Sequence, residues 1–391
     1  YKLNLTSIYT YLDVRFGKTA YRTGASFFLL SKMLGAAARL YLVCLILQNY
    51  VFGSMGVPFE ITAAGTVFLI WLYTFRGGIK SLVWTDALQT LCLITALVLI
   101  LYQLCRLNDF TVTEAIRHVT ESPYGRWIEW DDWTSRQHFV KQFFSGVFIV
   151  IVMTGLDQDM MQKNLTCKNL RDAQKDMCSY GFSFIPLNML FLGMGILLLA
   201  LASREGIALP VKGDDILPLF CAEGYLGNEV LVLFTIGIIA AAFSSADSAL
   251  TALTTSFCVD ILDVERRFAR PEAVRKRVHG VIALLFVGFI LCFEAVNDSS
   301  VIDAIYVVAS YTYGPLLGLF AFGMFTRRKP CPAAVPWICV TAPVCCYLLD
   351  VWTASIYGYR FGYELLMLNG FFTFMGLYAF SKAYSQGMDK R

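Results

Sequence analysis

Residues 238–262 read IIAAAFSSADSALTALTTSFCVDIL. The stretch opens as an apolar helix fit to cross a bilayer. It then carries Ser244, Ser245, Asp247, Ser248, Thr251, Thr254 and Thr255 before turning apolar again. On a helix Ser244, Asp247, Ser248 and Thr251 fall at i, i+3, i+4 and i+7 and share one face, with Ser245 at its border. Small hydroxyl residues let helices pack closely and can bond back to a carbonyl one turn earlier. That accounts for the serines and threonines but not for Asp247, because a carboxylate inside a span costs about 2.5–3.5 kcal/mol on insertion scales. Asp247 needs a cation, a basic partner or a proton. Close packing, a proton relay and a bound Na⁺ all remain open on residue chemistry alone.

The rest of the chain supports the membrane setting. Of 391 residues, 57% are hydrophobic and only 16% charged, whereas a soluble domain is about a quarter charged. Ten apolar runs have roughly the length a span requires: 25–51, 59–75, 85–105, 139–156, 179–202, 229–259, 278–296, 302–326, 332–352 and 363–384. The expectation is an all-α, polytopic transmembrane bundle of about ten spans, forming a single transmembrane domain over 1–391. A net charge of +3 gives no reason to expect nucleic acid. The twelve cysteines form no CxxC pair and read as small apolar packing residues. His118, His138 and His279 lie far apart in sequence and make a poor metal site. No nucleotide-binding motif occurs, and no His-rich or paired-acid cluster of a membrane enzyme. The expectation is therefore a carrier and not an enzyme.

Lys and Arg set the orientation. Arg266, Arg267, Arg270, Arg275, Lys276 and Arg277 fall in one loop, and Lys163, Lys168, Arg171 and Lys175 in another on the same side. The opposite loops hold far fewer. Both ends of the chain are thus expected in the cytoplasm, with the long loops 106–138 and 203–228 outside. Trp127 and Trp130, in RWIEWDDW, read as headgroup anchors more readily than as a lid.

Several segments together resemble the sodium/solute symporter family, whose members carry sugars, proline, sialic acid, pantothenate, iodide and monocarboxylates with Na⁺. IYTYLDVRFG is similar to the segment before its third core helix. YTFRGGIKSLVWTDALQ resembles its fourth-to-fifth helix connection, and GLDQDMMQKNLTCKNLRDAQK the run after its sixth. The stretch at 238–262 is similar to its eighth helix and YGPLLGLFAFGMFTRR to its tenth.

The resemblance implies an inverted-repeat fold of the leucine-transporter type. It also implies about three helices ahead of YLDVRFG, so the chain is expected to be an N-terminally truncated fragment of such a fold. Carried over residue by residue, one sodium falls on the Ala241 carbonyl and the hydroxyls of Ser244 and Ser245, its other ligands belonging to the preceding first helix. A second sodium or proton site falls on Asp86, Asp247 and Ser248. Asp157 and Gln158 match the solute-contact region loosely. Tyr311, Tyr313 and Asn188 match it more weakly, and core packing is the better reading for each.

The function expected is Na⁺-coupled import of a small polar solute such as a sugar, amino acid or organic acid. It would proceed by alternating access, through a monomer in the plasma (inner) membrane. The alternatives are a proton-coupled carrier using Asp247 or Asp86, and a membrane sensor derived from the same fold. Arg39 adds one structural expectation. A guanidinium cannot shed its charge, and Arg39 lies about 22 Å beyond Gly24 at 1.5 Å per residue. Depth favours an Arg39–Asp247 ion pair, which would make Asp247 a counter-ion. Without that pair, Asp247 is free for a cation, and Arg39 facing the solute path would favour an anionic solute.

Overall fold

The structure, a computed structural model, describes residues 1, 5, 7–74, 79–126, 128–211, 213–296 and 301–383. The first half runs α1 Thr10–Phe16, α2 Lys18–Leu47, α3 Phe59–Thr74, α4 Ile79–Leu107, α5 Val112–Glu121, α6 Phe139–Val150, α7 Gln158–Asn164 and α8 Leu170–Glu205. The second runs α9 Ile216–Ala222, α10 Asn228–Ser256, α11 Val264–Arg267, α12 Pro271–Val296, α13 Val301–Thr312, α14 Gly314–Phe325, α15 Ala334–Tyr357 and α16 Leu365–Ala379. A short antiparallel pair, β1 Arg328–Pro330 and β2 Ser381–Ala383, joins the chain on either side of α15 and α16.

Each of the ten expected spans falls on one of these helices or on a bent pair. Six are long and apolar enough to cross a membrane: α2, Asp86–Leu107 of α4, α8, Asn228–Ile261, Pro271–Ala295 and α15. Phe59–Leu72 and Leu365–Ala379 are shorter. The run 139–156 ends at a sharp bend, and the run 302–326 contains one. The first breaks by 65° between α6 and α7, the second by 43° between α13 and α14. Hydropathy does not register the second break, because the residues on both sides remain apolar; at the first it reads the polar α7 as the loop that follows a span.

Local chemistry explains both. After α6 the chain passes through a π-helical turn, Ile151–Gly155, and Asp157 then caps α7 by accepting from the backbone N–H groups of Asp159 and Met160. At the second break Pro315 has no N–H to give the Tyr311 carbonyl. Asn369 of α16 supplies it, its Nδ2 donating to Tyr311 O at 2.9 Å and to Ser310 O at 3.0 Å. That reach requires α14 and α16 to approach closely. A Cβ on Gly314 would come within 2.2 Å of Asn369, and one on Gly318 within 2.4 Å of Thr373.

Helix α2 is the hub, packing against α10, α12, α13, α14 and α15. Two apolar cores include α2 and a third lies apart from it. One joins α1, the first half of α2, α14 and α16. A second joins the latter half of α2 to α3, α10 and α12. The third joins α4, α8 and α9.

Of the long loops, 106–138 contains α5, started by a Thr111–Glu114 capping box. Trp127 lies outside the described residues. Trp133 packs on His138 and over the Lys141 ammonium, which donates to Tyr359 Oη at 2.8 Å. The loop is thereby fastened to the connection after α15.

Candidate functional site

Where the two halves of the bundle meet at the α6–α7 break, charged side chains from four elements converge. Lys32 and Arg39 lie two helical turns apart on α2. Asp157, Asp159 and Lys163 come from α7 and its cap. Asp86 stands on α4, and Ser244, Asp247 and Ser248 stand on α10.

Lys32 is buried and held by two acids, its Nζ 3.1 Å from Asp157 Oδ2 and 2.9 Å from Asp159 Oδ2. Tyr313, at the second break, donates to Asp157 Oδ2 at 3.1 Å. The Asp157 carboxylate thus links both broken spans to α2. Gln158 accepts from the Ile8 backbone N–H at 2.9 Å, and Tyr9 Oη donates to Leu156 O at 2.8 Å. Asp157 and Gln158 are 3% and 2% exposed. These contacts tie the two residues expected as solute ligands to the break. Of the weaker candidates, Tyr311 sits one turn from the Pro315 break, and Asn188 lies exposed on α8, its side chain bonded to Phe184 O.

Asp86 is also engaged. One oxygen accepts from Ser244 Oγ in a very short hydrogen bond, and the other lies 3.0 Å from Lys163 Nζ. Ser245 is exposed beside Ser244, and Ala241 lies one turn before Ser245 on the same helix. One turn beyond Ser244, Asp247 is 0% exposed and Ser248 4%. Among the described residues neither Asp247 carboxylate oxygen nor Ser248 Oγ has a side-chain hydrogen-bond partner.

The expected Arg39–Asp247 ion pair does not form. Arg39 makes no ion pair or side-chain hydrogen bond among the described residues, and its Nε is buried without a partner. Its electrostatic neighbours are Asp159 and Tyr313. Asp247 instead feels Asp86, Lys163 and Asp159. The depth estimate placed Arg39 against the spans alone. Helix α7, which follows the break, brings in charges that the estimate left in a loop.

Lys163 is the residue sequence reasoning missed. It read as one basic residue of a cytoplasmic loop. The available signal was its spacing from Asp157 and Asp159, two acids and a base within seven residues.

The cluster holds four carboxylates, Asp86, Asp157, Asp159 and Asp247, against three cations, Lys32, Arg39 and Lys163. It is one positive charge short. The unpartnered donors on α10 are all oxygens and are buried, which suits a hard cation and offers nothing to a soft metal. A proton on Asp247 would also close the balance.

A helical bundle with two broken spans meeting at a buried cluster of oxygens is an architecture that secondary membrane transporters use. The chain belongs to the sodium:solute symporter family, whose family model matches residues 2–335. That family is one of transporters and not of enzymes. The chain is 26% identical over 350 residues to the sodium/sialic acid symporter NanT of Aliivibrio fischeri, covering 85% of this chain and 66% of that protein. It is 26% identical to the sodium/sialic acid symporter SiaT of Proteus mirabilis, with 87% and 69% covered. To the human sodium/iodide cotransporter it is 24% identical, with 83% and 51% covered. The chain therefore spans roughly half to two thirds of the length of these relatives. A solved structure of a substrate-bound, outward-open Na⁺-coupled sialic acid symporter superposes with a TM-score of 0.78 at 21% identity, covering 98% of this chain and 79% of that one. The likeness extends to the fold.

Proposed function

We propose that the chain forms the transport core of a sodium-coupled symporter that imports a small organic anion by alternating access. The carrying observation is Arg39: a half-buried guanidinium, free of any ion pair among the described residues, beside the broken spans where transporters of this kind bind their solutes. With Na⁺ on both candidate sites the cluster carries one net positive charge, which Arg39 presents to a carboxylate or another anion. The relatives' names point the same way, to sialic acid, iodide and, in two further relatives, monocarboxylates.

Sodium supplies the drive. The Ala241 carbonyl with the Ser244 and Ser245 hydroxyls forms the first candidate site, and Asp86, Asp247 and Ser248 the second. One Na⁺ entering down 100 mV gains about 2.3 kcal/mol, and a tenfold gradient adds about 1.4 kcal/mol. Together these support accumulation of a few hundred-fold per ion. The protein acts as a monomer in the plasma (inner) membrane. Both ends of this chain lie on the cytoplasmic side, a reading supported by the basic loop around Arg266 and Arg267.

Sodium-dependent uptake in proteoliposomes tests the reading. Ser244→Ala and Ser245→Ala should each raise the Na⁺ concentration for half-maximal uptake, since each removes one oxygen. Arg39→Gln should abolish saturable anion uptake while leaving Na⁺-induced thermal stabilisation in place. Sodium dependence unchanged in both serine variants would reduce the region to helix packing. The unpartnered Asp247 favours a second reading, proton coupling, and uptake that persists with choline replacing Na⁺ would select it.

A further inference from the structure

The two helix starts that meet at the face opposite the outer loops form a groove unrelated to the charged cluster. Lys18 opens α2 and Pro336 lies in the first turn of α15. Between these ends is a groove of about 450 Å³. One wall carries Lys18 and Arg22, with the hydroxyl of Ser26 one turn further on. The floor is Phe27, Pro336 and Val340.

Three features of this groove ask for an anion. Lys18 and Arg22 sit at i and i+4, so two like charges share one face. They also occupy the start of a 30-residue helix, where the dipole favours an anion and opposes a cation; the first turn of α2 holds no acidic residue and its N-cap, Gly17, offers no side-chain cap. Among the described residues neither side chain makes an ion pair or a hydrogen bond. Two other cations on this side, Arg15 and Arg328, are engaged elsewhere. Arg15 donates to Gly323 O and Thr326 O, and Arg328 donates to Ser381 O and covers the Tyr378 ring.

The floor specifies what kind of anion. Val340 is 52% exposed, and Trp337, next to Pro336, is 73% exposed. An exposed Trp one turn into an apolar span belongs at headgroup level. The groove therefore has its charges at the membrane surface and its apolar floor pointing along the span into the acyl region. We propose that it is a binding site for an anionic phospholipid, the phosphate lying between Lys18 and Arg22 and one acyl chain running over Phe27, Pro336 and Val340. Soluble anions match the wall but leave the floor bare. The leaflet is the one faced by the basic loops.

The test uses the purified protein in zwitterionic nanodiscs, with phosphatidylglycerol added and lipid retention read by native mass spectrometry. Phosphatidylglycerol should remain bound where phosphatidylcholine does not. Each basic residue removed should weaken retention about fivefold, so Lys18→Gln with Arg22→Gln should weaken it about 25-fold. The charge-conserving pair Lys18→Arg with Arg22→Lys should retain it. Val340→Trp, which fills the floor and leaves both charges in place, should weaken it too. Retention unchanged by the neutral pair and by Val340→Trp would overturn the site. So would thermal stabilisation by inorganic phosphate or glycerol phosphate equal to that by the lipid, which would assign the groove to a soluble anion. Equal retention of both lipids would likewise sink it, as expected of a groove covered by other protein.

Discussion

Lys163 Nζ lies 3.0 Å from Asp86 Oδ2, while the other oxygen of the same carboxylate accepts from Ser244. A protein cation thus already stands on one of the acids expected to hold Na⁺. The pair is a quarter to a third exposed, so its contribution to stability is at most about 1 kcal/mol after solvent screening. Its consequence is for ion binding. Lys163→Gln removes the competing charge and should lower the Na⁺ concentration for half-maximal thermal stabilisation several-fold. A Na⁺ titration unchanged by this substitution would separate Asp86 from the sodium site.

Lys32 offers the opposite case. It is buried between Asp157 and Asp159, and removing one partner from such a group leaves buried charge uncompensated, at a cost of about 3–5 kcal/mol. Lys32→Met should therefore lower the thermal midpoint sharply. Adding Asp157→Asn should recover part of the loss, since the second change removes one stranded carboxylate. A double variant no more stable than Lys32→Met would show that Asp157 matters chiefly as the cap of α7.

Asn369 is 0% exposed and stands in for the N–H that Pro315 lacks. Asn369→Leu leaves two buried carbonyls without their donor and should cost about 1–3 kcal/mol each way the loss is measured, by heat or denaturant. Gly318→Val should be worse, because the new side chain meets Thr373 in a space that does not fit even a Cβ. If Asn369→Leu proved neutral, the carbonyls would be receiving their hydrogen bonds from another source.

Orientation is open to direct test by cysteine labelling in a cysteine-free background. A cysteine at position 267, between α11 and α12, should resist an impermeant reagent applied from outside. One at position 130 should react. Labelling of 267 from outside would invert the topology and move the lipid groove to the other leaflet.

The sequence determined the material of this fold. Apolar runs of span length, charge held mostly to the loops and a line of hydroxyls with one acid on α10 pointed to a bundle of about ten spans, because the bilayer imposes length and polarity residue by residue. The same stretch placed Ser244, Asp247 and Ser248 on one face, since helix periodicity is a local property. Tertiary structure decided where spans break and which charges meet. The break after 139–156 depends on an N-cap at Asp157, and the break within 302–326 on Pro315 and on Asn369, more than fifty residues later in the chain. Ion pairing depends on distance across helices, which hydropathy does not encode. Arg39 and Asp247 matched in charge and depth, yet α7 carried Asp159 to the one and Lys163 towards the other. A short helix after a break, too brief to stand out in the sequence, set the electrostatics of the site.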